Sequence, residues 1–430
     1  MINIIYSKNI SNMNKALEKR NNVLMYDISD KVSNIVFDVK NNGNSAVFKY
    51  TKEFDKVIIN EDSLRVNEKE IQSAYQSAGD GFVEMIRCAK ERIERFHFKQ
   101  KSNSWFCNEN DGELLGQLIK PIEIAGCYVP GGRSPLPSSV LMNSIPAKVA
   151  GVKKIIMTTP PRKDGTIAPE IIVTANECGV NEIYKIGGAQ AIAAMAFGTE
   201  TIPKADKITG PGNVYVAAAK KIVFGFCDVD MIAGPSEIVV LADDTACPAF
   251  VAADLISQAE HDVLASSVLV CMSEKIASSV VKEIEKQVES LPRKETIKEA
   301  LNNYGFGVIC KNLKEAVGVI NDIAPEHLEL CVKEPFDLLG KISNAGAIFL
   351  GNYSSEPLGD YLAGPNHILP TGGTARFFSP LDVDDFIKKT NIISCSKNKL
   401  EELKDDLIIF AEKEGLTAHA NAIRIRFDDK

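Results

Sequence analysis

Lys153-Lys-Ile-Ile-Met-Thr158, Pro169-Glu-Ile-Ile-Val-Thr-Ala-Asn-Glu-Cys178 and Glu182-Ile-Tyr-Lys-Ile186 succeed one another along the chain. The first is a short apolar, β-branched run that reads as a buried strand. The second has helical spacing and stops at Gly179, a residue suited to ending a helix. The third is a strand again. Strand, helix and strand in this order predict a parallel pair with the helix packed across it.

The pattern continues outward. Gln190 to Phe197 reads as a helix, Ala205 to Ile208 as a strand, Thr209-Gly-Pro-Gly-Asn213 as a turn and Val214 to Val223 as a helix. After residue 236 a second series begins, with buried strands expected at Ile238-Val-Val-Leu-Ala242, Ser267-Val-Leu-Val-Cys271, Phe306-Gly-Val-Ile-Cys310 and Ala347-Ile-Phe-Leu350. Two such series predict two α/β domains with helices on both faces of each sheet. The first hundred residues read as mostly helical. In Val83 to Phe96, the residues Met85, Ile86, Ile93 and Phe96 fall at roughly helical spacing, and His97 at the end reads as a charge partner for the helix dipole. From about residue 381 the tail returns to a charged helical pattern, as in Leu400-Glu-Glu-Leu-Lys-Asp-Asp-Leu-Ile-Ile-Phe410.

A chain of 430 residues is too long for one typical core. The net charge of -8, with no long Lys/Arg run, disfavours general nucleic-acid binding. None of the 10 cysteines forms a C-x-x-C pair, so a zinc knuckle or thioredoxin-like motif is absent. No apolar stretch is long enough to span a bilayer, and the first residues lack the apolar core and cleavage pattern of a leader. A soluble protein of the reducing cytoplasm is the expectation.

Four of the 5 histidines, His261, His327, His367 and His419, sit in short polar islands near Gln258, Glu260, Glu326, Asp360 and Glu414. Histidine is the commonest metal ligand and the usual acid or base near neutral pH. On a helix ending at His261, Gln258 stands three residues before it on the same side, Asp254 lies a turn earlier on about that face, and Glu260 points elsewhere. Such a histidine is more often hydrogen-bonded structure than a ligand. A Gln ligand would imply an oxygen-rich, higher-coordinate metal site. Asp360, in Leu358-Gly-Asp-Tyr-Leu-Ala-Gly-Pro-Asn-His367, suits an Asx turn as well as a ligand role, and His367 suits a loop anchor as well as a functional one. Glu326 and His327 can share a site only at a turn or helix start, which Pro325 supplies; an exposed pair at a helix N-terminus is the alternative. The turns Gly131-Gly-Arg-Ser-Pro-Leu-Pro137 and Gly210-Pro-Gly-Asn213 could bind anions, but neither matches G-x-G-x-x-G or a Walker A sequence. Spacing alone gives no nicotinamide cofactor.

Taken together, the segments resemble the histidinol dehydrogenase family. The resemblance is carried by Cys127-Tyr-Val-Pro-Gly-Gly-Arg133, Pro137-Ser-Ser-Val-Leu-Met-Asn143, Lys185-Ile-Gly-Gly-Ala-Gln-Ala-Ile192 and Thr209-Gly-Pro-Gly-Asn-Val-Tyr215. It continues through Asp230-Met-Ile-Ala-Gly-Pro-Ser-Glu237, Ser257-Gln-Ala-Glu-His261, Ala324-Pro-Glu-His327, Leu358 to His367 and Glu414-Gly-Leu-Thr-Ala-His419. Val263 stands where the family usually has proline, and Ser134-Pro-Leu136 varies from many members.

The resemblance implies an enzyme that oxidises L-histidinol to L-histidine through L-histidinaldehyde with two NAD+, the last step of histidine biosynthesis. It implies one Zn2+ per site, held by Gln258, His261, Asp360 and His419, with His419 from the partner chain of a homodimer with shared active sites. Glu326 and His327 match the proton acceptors. Ser236 and Glu414 match substrate contacts, joined by Gln258, His261, His327, Asp360 and His419, while Tyr128, Gln190 and Asn213 match NAD contacts. The implied fold is α/β, with two incomplete Rossmann-like domains, parallel-rich sheets and small helical N- and C-terminal extensions. Residues 1–25 are expected to pack with the tail, 26–127 with 237–380 to carry the zinc and acid-base residues, 128–236 to bind NAD, and 381–430 to form the dimerisation tail. A zinc hydrolase, with Glu326 activating water, and a non-catalytic binding protein on this fold are the rival readings. Neither nucleic acid nor membrane is an expected partner.

Overall fold

Both strand series form parallel sheets in the structure, a computed structural model that describes residues 2–22, 28–108, 112–131 and 135–428. Gly132, Arg133 and Ser134 of the first glycine-rich turn lie outside the described residues. The larger sheet has the order Asn3–Tyr6, Gly305–Ile309, Ser266–Cys271, Glu237–Ala242, His327–Cys331, Ala347–Leu350, all parallel. The smaller has the order Glu182–Tyr184, Lys154–Thr158, Ile124–Tyr128, Lys207–Thr209, Asp228–Val229, again all parallel. The central strands are near-continuous runs of Ile, Val and Leu because helices cover both their faces.

The two sheets share one topology. Numbered from its first crossover strand, each runs 3-2-1-4-5, five of the six strands of a doubly wound nucleotide fold, and the larger adds Asn3–Tyr6 at one edge. The order reverses between strands 1 and 4. In the smaller sheet that switch point lies between Ile124–Tyr128 and Lys207–Thr209. In the larger it lies between Glu237–Ala242 and His327–Cys331.

The helices between residues 29 and 98 go with the smaller sheet, not with the larger as expected for 26–127. Val32, Val36, Val39 and Val47 of helix Ser29–Phe54 share a core with Ile192 and Met195 of helix Gly188–Phe197. Helices Glu68–Ala78 and Asp80–Phe98 pack on Pro169–Cys178 and Pro137–Ala150. Of the four apolar residues read on the helix ending near His97, Ile86 and Ile93 are buried and Met85 and Phe96 are exposed. His97 is itself buried, with Nδ1 2.6 Å from Gln100 Oε1. Burial lowers its pKa, so it is a neutral core residue rather than a charge at the helix end.

The chain divides into two compact units, Met1–Gln100 with Ile122–Phe386, and Lys101–Pro121 with Ile387–Lys430. In the second unit Glu113–Pro121 pairs antiparallel with both Trp105–Cys107 and Ile387–Cys395. Helices Lys397–Lys413 and Thr417–Arg424 then pack on one another. Ser396 caps the first of them, accepting from the Lys399 N–H at 3.2 Å. The strand Ile387–Cys395 stands where the sequence reading expects a helical tail from about residue 381; it is mostly exposed, so no apolar alternation marks it.

Candidate active site

Ala324 takes a left-handed conformation, φ 51°, at the end of helix Leu313–Ile323, and turns the chain into Pro325-Glu326-His327. The carbonyl of Glu326 would lie 2.5 Å from a Cβ at residue 346, so only glycine fits there and the neighbouring strand can close on this turn. Glu326 and His327 therefore sit at the amino edge of the larger sheet, both buried. The main chain of Glu237 holds them. Its N–H donates to Glu326 Oε2 at 2.9 Å, and its carbonyl accepts from His327 Nδ1 at 3.2 Å. A carbonyl can only accept, so His327 carries its proton on Nδ1 and presents Nε2 as the basic nitrogen. Burial pushes the Glu326 carboxyl well above the usual carboxylate range, with the charges of Glu237, Asp360 and Glu356 adding to it and the Glu237 N–H opposing. Burial pulls the His327 imidazole down, keeping it neutral.

Helix Pro248–His261 starts on proline and ends with His261, half exposed, and Gln258, fully buried at 0% exposure. Helix Glu356–Tyr361 places Glu356 and Asp360 four residues apart on one side. Ligand atoms of His261, Glu356 and Asp360 all lie within 4.8 Å of one another. Glu356 accepts from Ser257 Oγ at 3.1 Å and stands 3.8 Å from His261 Nε2, while its N–H donates to Glu329 Oε1 at 2.8 Å. Burial, then the charge of Glu356, push Asp360 up to about 8. The nearby Glu356 carboxylate raises the His261 imidazole despite partial burial. His367 anchors the loop: its Nδ1 donates to the Asp360 carbonyl at 3.1 Å. Asn366 donates to the Met142 carbonyl at 2.8 Å, tying that loop to a helix of the smaller sheet.

The cluster fits a cation. Two neighbouring carboxylates beside an imidazole repel without one, and both amide atoms of buried Gln258 have no hydrogen-bond partner. Nitrogen and carboxylate oxygen are ligands zinc accepts.

The expected NAD contacts gather at the other sheet's switch point. Tyr128 ends its strand, and its hydroxyl accepts from the Gly188 N–H at 3.2 Å at the start of the helix carrying Gln190. Asn213 caps helix Val214–Val223, accepting from Tyr215 N–H at 3.0 Å and Val216 N–H at 3.2 Å. Gly210, φ +111°, passes so close to Tyr128 that a Cβ would lie 2.0 Å from its carbonyl oxygen. Gln190 is buried with Oε1 unpartnered, and the crevice outside the strand ends at a switch point is where doubly wound folds take nucleotides.

Of the expected site residues, His261 and Asp360 come together, Glu326 and His327 are held by the N–H and the carbonyl of one residue, Glu237, and Ser236 immediately precedes that residue. Glu414 and His419 lie in the second unit, both exposed. Sequence reasoning missed Glu356, although its spacing of four from Asp360 was a usable signal. It also missed Glu237, for which no signal exists because it acts through its main chain.

A cluster able to hold a cation, a buried imidazole–carboxyl pair and a nucleotide-type crevice on a second parallel sheet are the features of an α/β dehydrogenase. The histidinol dehydrogenase family model matches residues 18–427. A histidinol dehydrogenase of Clostridium acetobutylicum is 53% identical over 96% of this chain and 95% of its own length, and one of Listeria innocua 55% over 94% of each. The crystal structure of histidinol dehydrogenase from Elizabethkingia anophelis superposes with a TM-score of 0.93 at 41% identity, covering 99% of this chain and 98% of that one. The chain belongs to the histidinol dehydrogenase family and is an oxidoreductase.

Proposed function

We propose that the protein oxidises L-histidinol to L-histidine through L-histidinaldehyde, using two NAD+ and one zinc ion per site, as the last step of histidine biosynthesis. The observation that carries this reading is the Glu237 main chain holding Glu326 and His327 side by side through its N–H and its carbonyl. A neutral imidazole that can take a proton, beside a carboxyl that can act as a base when ionised, is what two successive oxidations with an intervening hydration require.

Gln258, His261, Asp360 and the partner's His419 would hold the zinc, with Glu356 a further carboxylate against it. When bound, zinc supplies a template for the amino and imidazole nitrogens of the substrate, with Lewis-acid help secondary. NAD+, when bound by Tyr128, Gln190 and Asn213, supplies the hydride acceptor for each oxidation. His327 takes the alcohol proton on Nε2 while its Nδ1–H stays on the Glu237 carbonyl. Glu326, once ionised, takes a proton from the water that hydrates the aldehyde, and His327, after releasing its first proton to solvent, receives the hydroxyl proton of the hydrate. Ser236 and Glu414 orient the substrate. Keeping the aldehyde bound through both steps prevents loss of a reactive intermediate. A homodimer in the cytoplasm completes the reading: the described residues include no helix long and apolar enough to cross a membrane.

The test is NADH formation with L-histidinol, with and without a chelator. Two NADH per histidinol are expected, lost on chelation and restored by zinc. No NADH, or full turnover after proven metal removal, would overturn the proposal.

A further inference from the structure

Arg20 is 1% exposed and Glu237 5%. They form a buried ion pair between Arg20 Nη2 and Glu237 Oε2, and the Gly372 N–H donates to Oε1 at 3.0 Å, so both carboxylate oxygens are engaged. Arg20 Nη1 also reaches the Leu264 carbonyl at 3.5 Å. Arg20 belongs to helix Ser11–Asn22, which follows the edge strand Asn3–Tyr6; nothing in the chemistry above uses either element.

The same Glu237 presents its N–H to Glu326 and its carbonyl to His327. It stands at the first position of its strand. The ladder pairs Glu237 with Ser266 on one side and His327 with Ile238, one residue further on, on the other. The side chain of Glu237 is thus tied down on one side of the backbone, and the two proton acceptors are tied to its peptide groups on the other.

We propose that Arg20 is a positioning residue for the acid-base pair, acting through Glu237 to fix the peptide groups that aim Glu326 and His327. The N-terminal segment is then part of the catalytic apparatus rather than an appendage. The inference rests on reading Glu326 and His327 as the proton acceptors. A guanidinium supplies several donors in a fixed plane, holding the carboxylate while still reaching Leu264; an ammonium is a point charge and cannot hold the same orientation.

The experiment compares wild type, Arg20→Lys, and the double variant Arg20→Met/Glu237→Gln, which removes both charges together and so avoids leaving one buried and unpaired. For each, the zinc content, the thermal midpoint, and kcat and KM for histidinol per folded molecule are measured. Arg20→Lys is expected to keep the wild-type zinc content and a KM within about threefold, while kcat falls roughly tenfold to a hundredfold, the effect of a displacement near an ångström. The double variant is expected to fold and bind zinc with the same loss of kcat. A purely structural pair would lower the thermal midpoint and leave kcat per folded molecule unchanged. Wild-type kcat in either folded variant therefore overturns the inference alone. So does failure of both variants to fold even in the cold, because the pair then belongs to stability. If the wild type forms no NADH from histidinol, the functional reading fails and this inference fails with it.

Discussion

Glu326 and His327 are neighbours in the chain, and the same burial moves their pKa values in opposite directions, the carboxyl up and the imidazole down. Both changes favour uncharged forms, so the neutral imidazole can accept a proton at once, Glu326 must ionise before it can act as a base, and the two groups do not repel each other. Their roles separate chemically, because only the aldehyde step consumes water. Glu326→Gln should therefore slow histidinaldehyde oxidation by about a hundredfold or more while slowing histidinol oxidation less, the usual weight of one general base. Steady-state rates with each substrate check this, and equal losses would remove the division of labour. A different histidine governs stability. Burial of His97 holds its pKa below the ordinary 6.5, so the unfolded chain binds the proton more tightly than the folded one. The stability this neutral residue contributes is present above pH 6.5 and is lost as pH falls towards the lowered folded value, at up to about 1.4 kcal/mol per pH unit. His97→Gln should flatten the thermal midpoint across that acid range; an unchanged slope would show that His97 is not its source.

Three short elements bring the site together: the end of helix Pro248–His261, helix Glu356–Tyr361 and the turn before His327. On the cofactor side the corresponding element is the turn after Lys207–Thr209. Gly210 is clamped there by an N–H to Asp230 Oδ2 at 2.8 Å and a carbonyl accepting from Lys220 Nζ at 3.0 Å, over a buried Lys220–Asp230 ion pair. Alanine would place its Cβ against the Tyr128 carbonyl in a conformation that L side chains rarely adopt. Gly210→Ala should cost about 1–3 kcal/mol in stability and raise KM for NAD+ with zinc content unchanged. Wild-type KM for NAD+ would place the cofactor elsewhere. The elements differ in how legible they were. Helix Val214–Val223 matches the sequence reading because burial imposes an apolar period, whereas strand Ala347–Leu350 forms where expected but lies at the sheet edge and is half-buried rather than buried. Gln258 and His261 were legible because a helix repeats every three to four residues. The same rule could have found Glu356, but Gly359, Gly364 and Pro365 made the stretch from Leu358 to His367 read as a loop. The hold on Glu326 and His327 was illegible in principle, since a peptide group carries no residue signature.

At the scale of the whole molecule, the proposed ligand set is divided between the two compact units. Gln258, His261 and Asp360 belong to the larger unit, and His419 lies on helix Thr417–Arg424 of the smaller. His419 is exposed in the isolated chain, as a residue offered to a second chain must be. If it completes the partner's site in a homodimer, each site needs two chains and a monomer lacks a ligand. His261→Asn and His419→Asn proteins should then each lose metal and activity as homodimers while remaining folded. In a mixed dimer the lesions redistribute. The site built on the His261→Asn chain receives the altered residue 419 from its partner and carries both defects. The other site combines an intact His261 with the intact His419 of the partner subunit and carries none. Mixing the two inactive proteins under conditions that allow subunit exchange should therefore restore activity, towards one working site per mixed dimer, together with matching zinc uptake. If exchange is demonstrated by differently tagged chains and neither activity nor zinc returns, His419 serves the site of its own chain, and the shared-site arrangement is wrong.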